Sequence, residues 1–394
     1  AGSACHLRLS EINSKMVYRE KLLENLLNNT KSNISDYSVI SLTLSLSSVC
    51  LRTNEISTRS FLLALNSSMS LLESAIVSRL AYDDIAAITK VLNNIASASN
   101  TFTDTLKLFD AVSLFGQIVA NQLYEGQERV NNIHSNYKLS VDALSKTNNA
   151  NITVSVPLSS LEQNQKSSQV ILSQNHSFSN GDTLKVTLLE FTASRLEQND
   201  NKYVSNPLRI TISDARLLPV TNEASGSNEI IVVLRSIDTP FETPVVNFTT
   251  LCVKRKPKNA LVRNFTCPYF PHAVITHNCT NKVGTIISIC PFYRMTCSGF
   301  SANDTRLCRT VAYTNTDTTC ACSLMSHQLS TNRKLNTVSA QSVAGNARML
   351  EVVAMGELVG KDFVNTFTAA PSLTSGEALQ KVLIVIIMFS TLWL

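Results

Sequence analysis

The chain has 394 residues, 44% of them hydrophobic, which predicts two or three domains with at least one sizeable core. Its formal net charge of +5 is small and spread along the sequence. The sequence has no basic stripe interleaved with aromatic residues, which argues against a nucleic-acid-binding protein. The one basic cluster, Lys254–Lys258, is typical of a solvated loop.

The first predicted elements are amphipathic helices between residue 11 and about residue 135. Apolar residues recur there at three- and four-residue spacing. One such face consists of Ile85, Ile88, Val91, Leu92 and Ile95. Asp83 and Asp84 stand just before it, where carboxylates favour a helix N-terminus. We therefore predict a helical subdomain over residues 1–146.

Strands are predicted after the helices. The β-branched residues Ile152, Val154 and Val156 alternate with polar and small ones. Further short apolar runs follow, separated by Asn-Gly, Asn-Asp and Gly/Ser turns. This pattern is typical of an antiparallel β-sandwich, which we predict over residues 147–330. A connector would then occupy residues 331–378.

The last predicted element is the uncharged apolar run Val382–Leu394, which has 13 residues. A membrane helix needs about 20. Three interpretations compete: the start of a transmembrane helix, a GPI-anchor signal with Ser375 or Gly376 as the attachment residue, or a buried C-terminal strand or helix. We favour an apolar helix over residues 379–394 that begins a membrane span and attaches the chain to a membrane.

Glycosylation triplets and cysteines indicate the compartment. Asn-x-Ser/Thr triplets begin at Asn28, Asn33, Asn66, Asn151, Asn175, Asn247, Asn264, Asn278 and Asn303. The ten cysteines are Cys5, Cys50, Cys252, Cys267, Cys279, Cys290, Cys297, Cys308, Cys320 and Cys322. An even, clustered set of cysteines beside glycosylation acceptors favours an oxidising, secretory route. We expect N-glycans on the asparagines and disulfides between the cysteines.

The close pair Cys320 and Cys322 could belong to a metal site or to disulfides. Zinc sites commonly pair cysteines as C-x2-4-C, which this C-x-C spacing does not match. We expect no metal and no cofactor. On the assumption that the two side chains point to opposite faces of one strand, each should bond to a different partner. The nearest candidates are Cys308 and one of Cys290 or Cys297. A disulfide between Cys5 and Cys50 would constrain the helical region.

Enzyme motifs are absent from the sequence. Asp83, Asp84 and Glu190 could supply carboxylate pairs to a hydrolase, but a helix start and a strand-face charge account for them. There is no Gly-rich phosphate loop, H-E-x-x-H or G-x-S-x-G motif. The six histidines are scattered along the sequence, and we expect them on the surface or in loops. They are His6, His134, His176, His272, His277 and His327.

A more specific motif ends the predicted sandwich. Cys308 is followed by a Thr- and Asn-rich stretch and then by T-x-C-x-C with Cys320 and Cys322. After Ser323 come two apolar residues and Ser326. This stretch resembles the GPS motif that ends the GAIN domain of adhesion-type receptors and polycystin-1-like proteins. The order of helical subdomain, sandwich, motif, connector and membrane span is similar too. The additional cysteines and the apolar tail favour the polycystin-1-like branch.

The resemblance implies self-cleavage between Met325 and Ser326, with the Ser326 hydroxyl as nucleophile and a histidine two positions earlier as base. Leu324 occupies that position and cannot accept a proton. His327 follows the nucleophile instead of preceding it. The tryptophans usual in the motif are absent, since Trp393 is the sole tryptophan. We therefore expect a vestigial cleavage site without efficient self-cleavage.

These expectations combine into a non-enzymatic, membrane-proximal module of a surface glycoprotein, on the extracellular side of the plasma or ciliary membrane. It would tether the strand after Ser326 and transmit partner binding or force, with protein partners or self-assembly. The alternative is a secreted structural glycoprotein that polymerises into a surface, flagellar or ciliary filament. Residues 330–370 would then form an arm that adds a strand to a neighbouring sheet.

Overall fold

The computed structural model describes residues 9–31, 35–99, 101–145, 151–172, 183–192, 202–213, 229–237, 243–253, 261–280, 284–299, 308–323 and 347–359. They belong to two compact units. The large unit comprises residues 1–240 and 296–355, and the small unit comprises residues 241–295 and 356–394. Predicted features outside the described residues are Cys5, Asn33, Asn175, Asn303, His6, His176, the cleavage-site residues 324–327 and the run Val382–Leu394.

Five α-helices open the large unit, as the sequence predicts. They are α1 (Leu9–Thr30), α2 (Asp36–Val49), α3 (Thr58–Ser78), α4 (Ala87–Ala96) and α5 (Phe102–Gln122). Hydroxyl groups cap three of them, and in α2 Ser35 Oγ accepts a hydrogen bond from the Ser38 amide at 3.4 Å. Ser57 Oγ accepts a hydrogen bond from the Ser60 amide at 3.1 Å, and Thr101 Oγ1 accepts one from the Asp104 amide at 3.1 Å. Such caps satisfy amides that lack a partner in the first helical turn.

The predicted helical face around α4 is buried throughout, from Ile85 to Ile95. Asp83 and Asp84 lie in a short 3-10 helix, Tyr82–Ile85, just before α4. The helices end at Gln122, earlier than the sequence predicted. Their apolar stripes meet in one core that also includes residues of the following strands.

Helix α3 is, among the described residues, the one helix that is long and apolar enough to cross a membrane. Half of its most apolar stretch is buried. Phe61, Leu65 and Leu72 on its buried face belong to the helical core. The helix therefore acts as a core helix in this fold.

Two antiparallel sheets follow the helices, and their residues belong to the large unit except for residues 292–295 and 356–359. Their strands are β1 (Val130–Ile133), β2 (Tyr137–Ser145), β3 (Ile152–Ser155), β4 (Gln169–Leu172), β5 (Thr183–Phe191), β6 (Lys202–Tyr203), β7 (Leu208–Ser213), β8 (Glu229–Arg235), β13 (Phe292–Ser298), β14 (Cys308–Tyr313), β15 (Asp317–Ser323) and β16 (Ala347–Val359). The seven-stranded sheet has the order β1-β2-β5-β7-β16-β13, with β6 beside β16, and the five-stranded sheet has the order β14-β15-β8-β4-β3. The prediction of helices followed by an antiparallel sandwich is confirmed.

The helices cover one face of the seven-stranded sheet. Phe109 of α5 stacks on Phe191 of β5, with ring centroids 4.1 Å apart. The Tyr137 hydroxyl of β2 donates a hydrogen bond to the Thr89 carbonyl of α4 at 2.7 Å. Gly116 lets α5 approach the sheet closely, because a Cβ there would lie 2.8 Å from Thr187 Cγ2. The helices and the sheet therefore share one core.

The small unit contains two antiparallel ribbons. One pairs β9 (Asn247–Cys252) with β12 (Gly284–Ile289), and the other pairs β10 (Val262–Cys267) with β11 (Phe270–Asn278). Disulfides join Cys252 with Cys279 and Cys267 with Cys290. His277 lies between the ribbons, with Nδ1 2.7 Å from Thr250 Oγ1 and Nε2 2.9 Å from Ser288 Oγ.

Three predicted boundaries differ from the structure. The sheet begins at Val130, within the predicted helical subdomain, because the polar Asn-rich strand β1 lacks the β-branched pattern that marks the later strands. The predicted sandwich range includes residues 241–295, which belong to the small unit. The predicted connector contains β16, which is a strand of the seven-stranded sheet.

Candidate functional site: strands β15 and β16

Strand β15 carries the two cysteines of the motif between two partner strands. Cys320 lies opposite Val232 of β8 and Thr310 of β14, and Cys322 lies opposite Ile230 and Cys308. Disulfides join Cys308 with Cys322 and Cys297 with Cys320. The first disulfide joins the neighbouring strands β14 and β15 of the five-stranded sheet. The second links that sheet to β13 of the seven-stranded sheet.

The two cysteines have different partners, but the reason assumed from the sequence is wrong. Residues two apart on a strand point to the same face. Cys320 and Cys322 both oppose fully buried residues of β8, Val232 and Ile230, so both face the sandwich interior. They do not pair with each other because their Cβ atoms are about 6.6 Å apart along an extended strand, whereas a disulfide needs about 4 Å.

The other cysteine prediction, a bridge between Cys5 and Cys50, stays a prediction, because Cys5 lies outside the described residues. Cys50 is a free thiol among the described residues and is buried at the end of α2. Burial raises the pKa of this thiol to about 12, so it stays protonated at neutral pH. Its environment is that of a packed apolar side chain rather than a reactive cysteine.

Strand β16 is buried on both faces. Leu350, Val352 and Ala354 face one side of the sheet with at most 2% exposure. Val353, on the opposite side, belongs to the core that the helices share with the sheet, and Met355 packs against that core. A central strand buried on both faces contributes to two cores at once. Removing it would therefore expose apolar surface in both layers.

A buried ion pair fixes β16 beneath the helices. Arg209 of β7 lies directly between Leu189 of β5 and Glu351 of β16 in the sheet register. Its Nε and Nη2 donate hydrogen bonds to Glu351 Oε1 at 2.8 and 2.5 Å. Its Nη1 donates to Asp110 Oδ1 of α5 at 2.9 Å. Both Arg209 and Glu351 are buried, whereas the Asp110 side chain is 55% exposed.

The guanidinium of Arg209 also lies over the Phe109 ring, 4.6 Å from its centroid. One buried cation thus joins a helix, β7 and β16. Sequence reasoning missed this cluster because Arg209 and Glu351 are 142 residues apart and no short motif contains them. A charged residue inside the otherwise apolar pattern of β7 was the one available signal.

The carboxylates considered for an enzyme have structural roles. Glu190 is buried, accepts a hydrogen bond from Ser168 Oγ at 2.6 Å, and lies 3.8 Å from Lys138 Nζ. Asp83 and Asp84 belong to the turn before α4. Within the described part of the chain, no group of three His, Cys, Asp or Glu side chains could hold a metal ion.

The histidine prediction is wrong at one position. His277 was expected on the surface or in a loop, but it is buried on β11 with both ring nitrogens close to hydroxyl groups. Burial lowers its pKa, because charging the imidazole away from water is unfavourable. His272, on the same strand, is exposed as expected.

Every predicted glycosylation acceptor among the described residues has an exposed side chain. These acceptors are Asn28, Asn66, Asn151, Asn247, Asn264 and Asn278. An attached glycan requires such exposure, because it is large and hydrophilic. Their occupancy stays a prediction.

Comparison with protein-family models found no match, and neither did comparison with curated proteins. Among solved structures, the full extracellular region of zebrafish Gpr126/Adgrg6 is similar to this chain at 12% identity with a TM-score of 0.41. The match covers 75% of this chain and 35% of that chain. This chain thus spans about a third of that extracellular region. At this level of similarity, function has to be argued from the residues of the chain itself.

Proposed function

We propose that the chain is a non-enzymatic, GAIN-like extracellular module that holds β16 as an internal tether. The observation that carries the proposal is the burial of β16 in two cores, together with the Arg209–Glu351 pair. Strand β15 precedes β16 in the chain. Disulfides join β15 to β14 of its own sheet and to β13 of the seven-stranded sheet. Force applied to the chain after β16 would therefore act on a strand that is held noncovalently, whereas the strands β13, β14 and β15 are joined by disulfides.

The four disulfides among the described residues support an oxidising, extracellular location. We propose attachment to the plasma or ciliary membrane through the apolar run Val382–Leu394, as in the polycystin-1-like proteins that the motif resembles. The module would transmit force or the binding of a protein partner toward that membrane.

The proposed module is not self-cleaved. Leu324 cannot act as the base that the GPS-like motif requires before Met325 and Ser326. Without cleavage, β16 stays covalently continuous with β15. Force on the module would then have to extract β16 from the sheet without releasing a fragment.

Two measurements on protein expressed in eukaryotic cells test this function. A denaturing gel under reducing conditions should show one full-length species for both wild type and Ser326→Ala. Two wild-type fragments that meet near residue 325, absent from the variant, would contradict the uncleaved state. Fractionation of the native protein should recover it in membranes, and recovery entirely in the soluble fraction would refute the membrane-proximal role.

The filament alternative is less well supported. It needs residues 330–370 as an arm for a neighbouring subunit, but Ala347–Val352 pair with β7 of the same chain. Such an arm would have to exchange β16 between copies. Nothing among the described residues favours that exchange over the internal pairing.

A further inference from the structure

The β9–β12 ribbon of the small unit has an apolar outer face. Side chains alternate along β9, so that Thr250 and Cys252 are buried while Leu251 is 65% exposed. On β12, Ile287 and Ile289 are 65% and 50% exposed. Neighbouring apolar side chains exposed on a two-stranded ribbon invite association with other molecules.

A glycosylation triplet lies within this apolar face. Asn247 is directly opposite Ile289 in the strand register, and Thr249 is directly opposite Ile287. Asn247 and Thr249 are both exposed. The acceptor asparagine therefore projects from the same side of the ribbon as the exposed isoleucines.

The middle residue of the triplet explains this orientation. Phe248 points to the opposite side of β9 and stacks on Phe265 of β10, with ring centroids 4.5 Å apart and an interplanar angle of 14°. Packing Phe248 into the interior forces its neighbours Asn247 and Thr249 outward, because strand side chains alternate.

The second ribbon provides a comparison. Phe265 is the middle residue of the triplet that begins at Asn264, so that triplet faces outward as well. Asn264 is opposite Thr276 and accepts a hydrogen bond from its Oγ1 at 2.9 Å. The neighbouring cross-strand pair is Thr266 with Val274. This face is more polar than the β9–β12 face.

We propose that an N-glycan on Asn247 covers the apolar outer face of the β9–β12 ribbon and keeps it from associating with other molecules. The first N-acetylglucosamine would start beside Ile289. Its ring C–H groups and acetyl methyl can pack on aliphatic side chains while its hydroxyls remain in water. A bulky glycan at this position also blocks the flat approach of a second sheet. The inference rests on the secretory route of the proposed function and on no other part of it.

The test uses the full chain secreted from eukaryotic cells, with peptide mapping by mass spectrometry to measure occupancy. Asn247 should be occupied. The Asn247→Gln variant should bind a hydrophobic dye severalfold more strongly than wild type and should self-associate in size-exclusion chromatography. The matched variant Asn264→Gln should behave like wild type. Adding Ile287→Ser to Asn247→Gln should reverse most of the gain in dye binding.

The outcomes separate this inference from the proposed function. If Asn264 is occupied and Asn247 is not, the inference fails and the secretory route stands. If no acceptor is occupied, both fail. If Asn247→Gln behaves like Asn264→Gln, the glycan has no covering role. Should Asn247→Gln not be secreted, enzymatic removal of glycans from folded wild type and folded Asn264→Gln supplies the same measurement, and unchanged dye binding after removal overturns the inference.

Discussion

The helical layer of the large unit and the small unit are stabilised in different ways. Helices α1–α5 pack into an extensive apolar core, and the one described cysteine among them, Cys50, is a free thiol. The small unit has a core cluster of three buried residues, Cys267, Ile275 and Cys290, two of which form a disulfide.

The difference follows from size. A short segment cannot bury enough apolar surface to offset its conformational entropy, so disulfides or metals must supplement its core. The small unit is therefore expected to depend on oxidation, whereas the described part of the helical layer contains no disulfide. A secreted protein can combine both solutions in one chain, and variants of each region should have separable effects.

The largest expected effect is in the helical layer. Phe109→Ala removes a fully buried ring that stacks on Phe191. Such truncations cost about 3–5 kcal/mol in the free energy of unfolding. Urea denaturation followed by far-UV circular dichroism would measure the loss. Tyr124→Ala, at an exposed position, is the control and should change stability by less than about 0.5 kcal/mol. A comparable loss for both variants would contradict the packing account.

A somewhat smaller and local effect is expected for the double variant Cys267→Ala with Cys290→Ala. The disulfide closes a sequence separation of 23 residues, and its loss should cost about 3 kcal/mol by the chain-entropy relation. Hydrogen exchange should accelerate in β9–β12 and stay unchanged in α3–α5. Equal acceleration in the helices would show that the two regions do not differ as described.

Acid should weaken the small unit through His277. Its pKa in the folded state is lowered from 6.5 by burial. Below pH about 6.5 the unfolded chain therefore binds more protons than the folded one, and stability falls as pH decreases. Hydrogen exchange of β9–β12, compared at neutral and mildly acidic pH, should show this loss. His277→Gln should reduce the pH dependence, and an unchanged dependence would rule out His277 as its source.

The smallest effect is expected at Cys50. Cys50→Ala should cost about 1 kcal/mol, as for deletion of one buried group. In the native wild-type protein, an alkylating reagent should leave Cys50 unmodified, because the thiol is buried and its pKa is raised. The same reagent should label it after unfolding without a reductant. Failure to label it under those conditions would mean that Cys50 is disulfide-bonded.

Local patterns in the sequence predicted the helices and most strands. They could not predict which residues pair across long distances in the chain. The buried face from Ile85 to Ile95 followed from helical periodicity alone. The role of β16 could not be predicted, because its partner β7 lies far earlier in the chain. The disulfide map was open too, since eight clustered cysteines allow roughly a hundred connectivities. His277 and Arg209 were missed because their partners come from other strands.

The central claim is that β16 is held noncovalently as a strand of both cores. It can be tested by placing a specific protease site at residues 335–341, cleaving the folded protein, and separating the products in mild detergent. No cysteine follows Cys322, so no disulfide can retain the C-terminal fragment. The fragment with β16 should co-elute with the rest of the chain in native buffer and separate from it in guanidinium chloride. Its release in native buffer immediately after cleavage would contradict the account.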